Sequence, residues 1–117
     1  MAIKDVFAGI PVSDYRAARP WYEQLFGRAP DVNVSDHECM WQLAPAGWVY
    51  SVEDRDRAGH ALFTFLVDNL PDHVAAIAAR GLKVGDFETI PDAVRVAVIM
   101  DADGNRIQIG EDLTVAK

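Results

Sequence analysis

The sequence predicts an α+β fold built from two βαβββ modules, which form a cupped mixed sheet with the helices on the outer face. An apolar strand, a polar cap and a helix-like stretch ending in glycine occur twice, and the equivalent residues Val12 and Val67 lie 55 positions apart. Three short apolar segments follow each copy, separated by turn-forming residues. A length of 117 residues is typical of one domain. We therefore expect a single domain over residues 1–117, with module one at about residues 1–56 and module two at about residues 57–117.

The first module starts with residues 5–12, whose side chains alternate with the period of two that is typical of a strand. Asp14 can cap the helix that follows, and Gly27 can end it. Pro20 is unfavourable inside a helix, so we expect a turn first and a helix that begins nearer Ala17. The remaining segments predict an antiparallel meander of strands near 31–35, 38–44 and 48–53.

The second module repeats this order. The residues from Asp101 to Asn105 predict a turn, because Gly104 and Asn105 are residue types that tolerate a positive φ. The predicted elements are a strand at 60–67, a helix at about 70–80, and strands near 82–89, 94–100 and 105–110.

Composition disfavours several classes of function. A formal net charge of −7 at pH 7 is unfavourable for binding nucleic acid. No apolar run approaches the roughly 18 residues of a membrane span, and no secretory signal is visible, so we expect a cytoplasmic protein without a membrane partner. Cys39 is the single cysteine, and we expect it to be a packed thiol.

The order and spacing of six sequence pieces resemble the vicinal oxygen chelate superfamily, which includes glyoxalases, extradiol dioxygenases, fosfomycin-resistance enzymes and bleomycin-binding proteins. The resemblance covers essentially the whole chain and implies the paired-module fold. It does not imply one chemistry, because this scaffold carries several reactions and also simple binders. The pieces are Val12-Ser13-Asp14, Trp21-Tyr22, Leu25-Phe26-Gly27, Val67-Asp68-Asn69-Leu70, Arg80-Gly81 and Asp101 to Ile107.

The metal-dependent members of that superfamily place a His or Gln on the first strand of each module and a Glu on the last strand. Phenylalanine and leucine have no donor atom for a metal ion, so the resemblance implies that a divalent metal is disfavoured, and we expect no cofactor. The positions that match in this chain are Phe7, Leu62, Gln108 and, on the last strand of module one, Tyr50 or its alternatives Trp48 and Val52.

The three histidines are the remaining candidates for a metal ligand. His60 lies two residues before Leu62, on the same predicted strand face. It is the only histidine that could replace the missing metal ligand at Leu62. We expect His37 and His73 to lie on the surface.

Strand alternation also predicts the residues of the cup. Ile107 and Ile109 should face the helices, which directs Arg106 and Gln108 into the cup; in the same way Phe63 and Phe65 face the helices. We expect Trp21 and Tyr22 to belong to the core, whereas the aromatic rings of the meander could line a pocket, fill the core or form a dimer interface. The candidate ligand-binding residues are Phe7, Trp41, Trp48, Tyr50, Leu62, Thr64 and Gln108, with Leu66 on the same side.

These residues favour metal-independent binding or sequestration of a small organic molecule of an aromatic or cationic, antibiotic-like kind. Bleomycin-binding members resemble this picture and form their crevices between two chains, so we expect a homodimer. Two alternatives stay open. One is a glyoxalase- or dioxygenase-like enzyme with an atypical site drawn from Gln108, Tyr50, His60 and Glu53; the other is a dimeric regulatory module without a ligand.

Overall fold

The computed structural model describes residues 2–114 and shows the predicted βαβββ order twice within them. The two modules have the same element order and similar element lengths. Module one contains β1 (Val6–Val12), α1 (Tyr15–Phe26), β2 (Val32–Ser35), β3 (Glu38–Ala44) and β4 (Gly47–Glu53). Module two contains β5 (Leu62–Leu66), α2 (Leu70–Ala79), β6 (Glu88–Ile90), β7 (Val94–Met100) and β8 (Arg106–Asp112).

Each module forms its own four-stranded mixed sheet. The strand orders are β1-β4-β3-β2 and β5-β8-β7-β6. The first strand of each module pairs in parallel with the last, and the other pairs are antiparallel. The predicted α+β class, the two modules and the antiparallel meander of module one are confirmed.

Helix α1 begins at Tyr15, so the prediction of a start nearer Ala17 was wrong. The Asp14 carboxylate accepts hydrogen bonds from the backbone N–H groups of Arg16 and Ala17, at 3.1 and 3.3 Å, and caps the first turn. Pro20 lies inside the helix, where it removes one backbone hydrogen bond. The helix keeps its full length because the cap and the packing of its buried residues outweigh that loss.

The strand predicted near 82–89 is reduced to Glu88–Ile90. The preceding residues follow an irregular path, in which the Gly85 N–H donates to the Val98 carbonyl at 2.9 Å. Leu82 and Val84 are partly buried against the core. Side-chain packing, rather than a continuous strand ladder, therefore holds this segment in place.

The two modules share one hydrophobic core on the helix side of both sheets. The ring of Phe26 on α1 lies 5.1 Å from that of Trp41 and 6.2 Å from that of Phe65, measured between centroids, so this helix contacts both sheets. Phe63 and Phe65 pack against the core, as predicted. The buried residues are Ile10, Val12, Tyr15, Tyr22, Leu25, Cys39, Trp41, Val49, Leu70, Ile77, Ala97, Ile99, Ile107 and Ile109.

The turn between β7 and β8 joins the modules through Asn105. This side chain is fully buried, donates to the carbonyl of Pro11 at 2.7 Å and to Asp101 at 2.8 Å, and accepts from the backbone N–H of Ala61 at 2.9 Å. It therefore links the end of β1 to the start of β5. Gly104 has a φ of 93°, as its residue type predicts, whereas Asn105 is not among the described residues with positive φ. The three side-chain hydrogen bonds of Asn105, rather than a positive φ, therefore explain an asparagine at this position.

Within residues 2–114, no helix is both long enough and apolar enough to cross a membrane.

Candidate ligand-binding site

We define the open face as the side of each sheet that points away from the helices. In β4, Val49 and Ser51 are buried on the helix side, which directs Trp48 and Tyr50 to the open face. In β1, Ile10 is buried on the helix side, so Phe7 points the other way. Strand alternation thus brings three of the predicted ligand-binding residues onto one surface.

Phe7 and Trp48 form a stacked pair on the open face of module one. They are register partners in the parallel ladder between β1 and β4. Their ring centroids are 5.7 Å apart and their planes differ by 18°. Phe7 is 49% exposed, although large apolar rings are normally buried. Phe7 offers an aromatic surface to solvent, whereas Trp48 is half-buried.

Tyr50 lies next to this pair, against the backbone of Gly9. A Cβ added at Gly9 would lie 2.6 Å from Cζ of Tyr50 and 2.7 Å from its hydroxyl oxygen. Only glycine at this position therefore allows the ring to lie so close to β1. The Tyr50 hydroxyl forms no hydrogen bond with any of residues 2–114 and is available to a ligand.

The open face of module two carries Leu62, Thr64 and Gln108, as predicted. Thr64 and Gln108 are register partners, and Leu62 is the register partner of Arg106. Leu62 is 81% exposed, and Arg106 is exposed beside it. No ring contact or hydrogen bond within residues 2–114 joins this group to the aromatic group of module one. The candidate residues therefore form two separate sets, one on each sheet.

Trp41 is the one predicted ligand-binding residue that lies on the helix side. It is 0% exposed, its indole N–H donates to the carbonyl of Arg28 at 3.0 Å, and its ring packs on Phe26. Its neighbours Met40 and Gln42 occupy the open face instead, and Met40 is the register partner of Tyr50. Gln42 is polar and follows Trp41 directly in β3, so it points to the opposite face. This alternation was the sequence signal that could have placed the Trp41 indole in the core.

The metal positions of the superfamily do not provide a ligand set in this chain. Phe7 and Leu62 lie where the resemblance places them and have no donor atom, while Gln108 and Tyr50 offer only single oxygen atoms. Among residues 2–114, no three His, Cys, Asp or Glu side chains come together as a possible metal site. A divalent ion bound as in the metal-dependent members does not fit these residues.

The histidines lie apart from these positions. His60 is exposed and precedes β5, and His37 is exposed, as predicted. His73 also lies at the surface, but it is half-buried, with its ring edge-on to Phe65 at 5.9 Å. Burial lowers the pKa of His73, and the nearby Arg80 charge lowers it further.

The catalytic candidate Glu53 and the thiol of Cys39 are both engaged near the start of α1. Glu53 accepts a hydrogen bond from the backbone N–H of Tyr15 at 3.1 Å and so supports the start of α1. Cys39 is buried beside Tyr15, and burial raises the pKa of its thiol, which keeps it protonated. Glu53 lies on the helix side of β4, whereas Tyr50 points to the open face.

Comparison with known proteins agrees with this fold. The sequence profile of the Glyoxalase/Bleomycin resistance protein/Dioxygenase superfamily matches residues 5–109. A glyoxalase/bleomycin resistance protein from Catenulispora acidiphila is 36% identical in sequence, with a TM-score of 0.86 over 92% of this chain and 96% of that chain. None of the curated proteins matches this chain.

Two more distant structures share the fold. The antibiotic binding protein TnmS3 from a Streptomyces species is 23% identical, with a TM-score of 0.75 over 96% of this chain and 98% of that one. A lactoylglutathione lyase from Agrobacterium tumefaciens is 15% identical, with a TM-score of 0.76 over 96% of both chains. At such identities the likeness concerns the fold alone. Because the profile match spans nearly the whole chain, this protein belongs to the Glyoxalase/Bleomycin resistance protein/Dioxygenase superfamily.

Proposed function

We propose that this protein binds and sequesters a small organic molecule with a planar aromatic part, without a metal ion and without converting it. The observation that carries the proposal is the stacked Phe7–Trp48 pair on the open face, in which Phe7 is exposed and Trp48 half-buried, with the Tyr50 hydroxyl on the same face. Aromatic side chains with polar tips are typical walls of pockets for flat ligands.

Metal independence is supported by the residues at the superfamily's ligand positions. Phe7 and Leu62 cannot coordinate an ion, because neither side chain has a donor atom. The likeness to an antibiotic binding protein is compatible with this proposal, while the likeness to a lyase shows that the same fold also supports catalysis.

We also propose that the protein acts as a homodimer in the cytoplasm. Large apolar side chains on the open faces of the two sheets are exposed to solvent. The exposed fractions are 49% for Phe7, 81% for Leu62, 61% for Leu66 and 57% for Met100. A second copy would cover part of this surface and enclose the ligand. Light scattering during size-exclusion chromatography should give about twice the chain mass of 12.9 kDa; a mass of one chain would contradict the dimer.

The binding proposal is tested by tryptophan fluorescence, titrated with a panel of aromatic and glycopeptide-like compounds with and without Zn²⁺, Mn²⁺ and Fe²⁺. Saturable quenching in the absence of metal is expected. Trp48→Ala should abolish it, because the stacking surface is lost. Trp21→Phe is the matched control, because Trp21 lies half-buried on α1, away from the open face, and this variant should keep the response.

Two outcomes would count against the proposal. A response that requires added metal would point to a metalloenzyme with an unexpected ligand set. Equal quenching of the wild-type protein and Trp48→Ala would show that the ligand binds away from the stacked pair.

A further inference from the structure

We propose that the protein has a second binding site for a small organic molecule, in a cavity between the two modules on the helix side of the sheets. Its ligand is a neutral, mostly apolar molecule with one hydroxyl group, such as a phenol, and His73 forms a hydrogen bond with that hydroxyl. This site is independent of the open face and of the function proposed for that face.

The cavity lies at the end of the shared core, where both modules contribute to its walls. Its volume is about 340 Å³, within the range of about 300–1,000 Å³ that is typical of small-molecule sites. Ala44 and Leu66 are exposed at its rim, so a ligand can enter from solvent. Neither Phe7 nor Trp48 of the open face lines it.

The inner walls of the cavity are apolar and partly aromatic. Phe26 follows from α1, Leu43 from β3, and Phe65 and Val67 from β5 and the residue just after it. All four side chains pack against the core but are only partly buried. The ring centroids of Phe26 and Phe65 are 6.2 Å apart. These walls therefore suit the apolar body of a ligand, whose binding would bury surface that is now open to solvent.

His73 supplies a polar group at this cavity without a partner of its own. Its ring lines the cavity and lies edge-on to Phe65, with 5.9 Å between the centroids. The imidazole forms no hydrogen bond or ion pair with any of residues 2–114, although buried polar groups are normally hydrogen-bonded. Burial lowers the pKa of His73, so the ring is neutral at pH 7 and has one donor and one acceptor nitrogen. A hydroxyl group can pair with either nitrogen.

Arg28 also lines the cavity, but its charge is already compensated. Its guanidinium donates to both carboxylate oxygens of Asp31, at 2.7 and 2.8 Å, and to the carbonyl of Gln42. An anionic ligand would have to compete with Asp31 for this arginine.

The other charges around His73 favour a neutral ligand. His73 also lines a neighbouring open cleft at the start of α2, where Asp68 and Asp72 would repel an anion. On the opposite side, the positive charge of Arg80 lies close enough to lower the pKa of His73 and would disfavour a cation beside the imidazole.

The location of the site is tested by NMR, with the imidazole Cε1–H resonances of the three histidines recorded as the wild-type protein is titrated with 4-ethylphenol. The His73 resonance should shift saturably, whereas those of His37 and His60, exposed and outside the cavity, should stay unchanged. Ala44→Phe should abolish the shift, because a ring at the exposed rim fills the cavity. Ala46→Phe adds the same ring to the exposed turn outside the cavity and should keep the shift.

The role of the hydroxyl group is tested by isothermal titration calorimetry with 4-ethylphenol and ethylbenzene in the Trp48→Ala variant, which lacks the stacking surface of the open face. The phenol should bind about three- to tenfold more tightly than ethylbenzene, as expected for one hydrogen bond. A further His73→Phe change should remove this preference. His37→Phe, the same substitution at an exposed histidine outside the cavity, should keep it.

The outcomes separate this site from the function proposed for the open face. A saturable His73 shift that persists in Trp48→Ala supports a second site, whatever the fluorescence titration of the open face gives. The proposal is overturned if the His73 resonance does not shift in the wild-type protein, if it shifts equally in Ala44→Phe, or if the shift is lost in Trp48→Ala. Equal affinity for the two compounds, or a preference for the phenol that persists after His73→Phe, would contradict the role of His73.

Discussion

The contact between Gly9 and Tyr50 determines the shape of the open face at the level of single residues. A side chain at position 9 would occupy the place of the Tyr50 ring. The ring in turn holds its hydroxyl on the same surface as the Phe7–Trp48 pair. Because a glycine inside a strand weakens the strand, its presence here is explained by the space that it leaves for the tyrosine.

We expect Gly9→Ala to reduce ligand affinity about tenfold while the protein stays folded. The new methyl group must displace the Tyr50 ring, and the stability of a strand is itself slightly favoured by alanine over glycine. Titration calorimetry with the tightest-binding compound of the fluorescence panel measures the affinity. Gly47→Ala is the control, because its added Cβ would only reach an ordinary contact of 3.4 Å with Ala44. Unchanged affinity in Gly9→Ala would show that the position of Tyr50 does not matter for binding.

Strand alternation in the sequence predicts the face of most candidate site residues. The period of two placed Phe7, Leu62, Thr64 and Gln108 correctly because each lies on a strand whose other face is clearly apolar. It did not place Trp41, since a large ring is as well suited to a pocket as to a core. Only the packing of Trp41 against α1 decides between these positions.

Helix α1 shows how packing overrides a local preference at the level of an element. Pro20 is exposed in the middle of the helix, so it contributes little burial while it removes a backbone hydrogen bond. The amphipathic spacing of Tyr15, Tyr22 and Leu25, all buried, keeps the segment helical.

We therefore expect Pro20→Ala to raise the free energy of unfolding by about 1–3 kcal/mol, because alanine restores the missing N–H without a loss of packing. Urea denaturation measures this change. Pro45→Ala in the exposed turn before β4 should have the opposite sign, a loss of up to about 1 kcal/mol, since it only increases the freedom of the unfolded chain. A destabilised Pro20→Ala variant would mean that the proline is required by its surroundings.

Helix α2 makes stability depend on pH through His73. Burial against β5 lowers the pKa of this histidine below its ordinary value of 6.5, so the unfolded chain binds a proton more readily than the folded protein does. The stability that comes from neutral His73 is therefore complete above pH 6.5 and is lost as the pH falls through that value toward the lower pKa of the folded state.

The expected result is that the wild-type protein loses stability when the pH is lowered from about 7.5 to about 5.5, and that His73→Phe and His73→Gln lose less. Chemical denaturation at both values measures the difference. Both variants lack the titrating ring, while only phenylalanine keeps its apolar packing, so agreement between them separates protonation from packing. If both variants retain the full pH dependence of the wild-type protein, another group is responsible.

Hydrogen bonds between distant parts of the chain hold the whole molecule together at two joints. Asn105 links the strand ends near Pro11 and Ala61, and the Tyr22 hydroxyl donates to Asp101 of the same turn at 2.6 Å. At the second joint, the guanidinium of Arg80 donates to the carbonyls that end α1, and Gln24 donates to the carbonyl of Arg80 at 2.9 Å. These contacts fix the two modules relative to each other.

We expect Asn105→Ala to lower the free energy of unfolding by about 2–4 kcal/mol, because it leaves the buried partners of the asparagine without hydrogen bonds. Thermal and urea denaturation measure the change. Asn33→Ala is the control, because Asn33 is exposed on β2 and its side chain forms no hydrogen bond with residues 2–114. A loss below about 0.5 kcal/mol for Asn105→Ala would show that the joint does not stabilise the fold.

The sequence by itself determined the order of the elements, the two modules and the parity of most strands. These properties follow from local patterns: Asp14 caps a helix, Gly27 ends it, and the alternation around Phe7 and Leu62 assigns each side chain to a face. Such patterns extend over a few residues and do not depend on what the element packs against.

Only the tertiary structure decided the position of Trp41, the length of the strand at Glu88–Ile90, the burial of His73 and the role of Asn105. Each depends on contacts between residues that are far apart in the chain; Asn105 and its acceptor Pro11 are separated by 94 positions. The free energy of such a contact depends on burial and on the presence of a partner. Neither property produces a repeating pattern of residue types in the sequence.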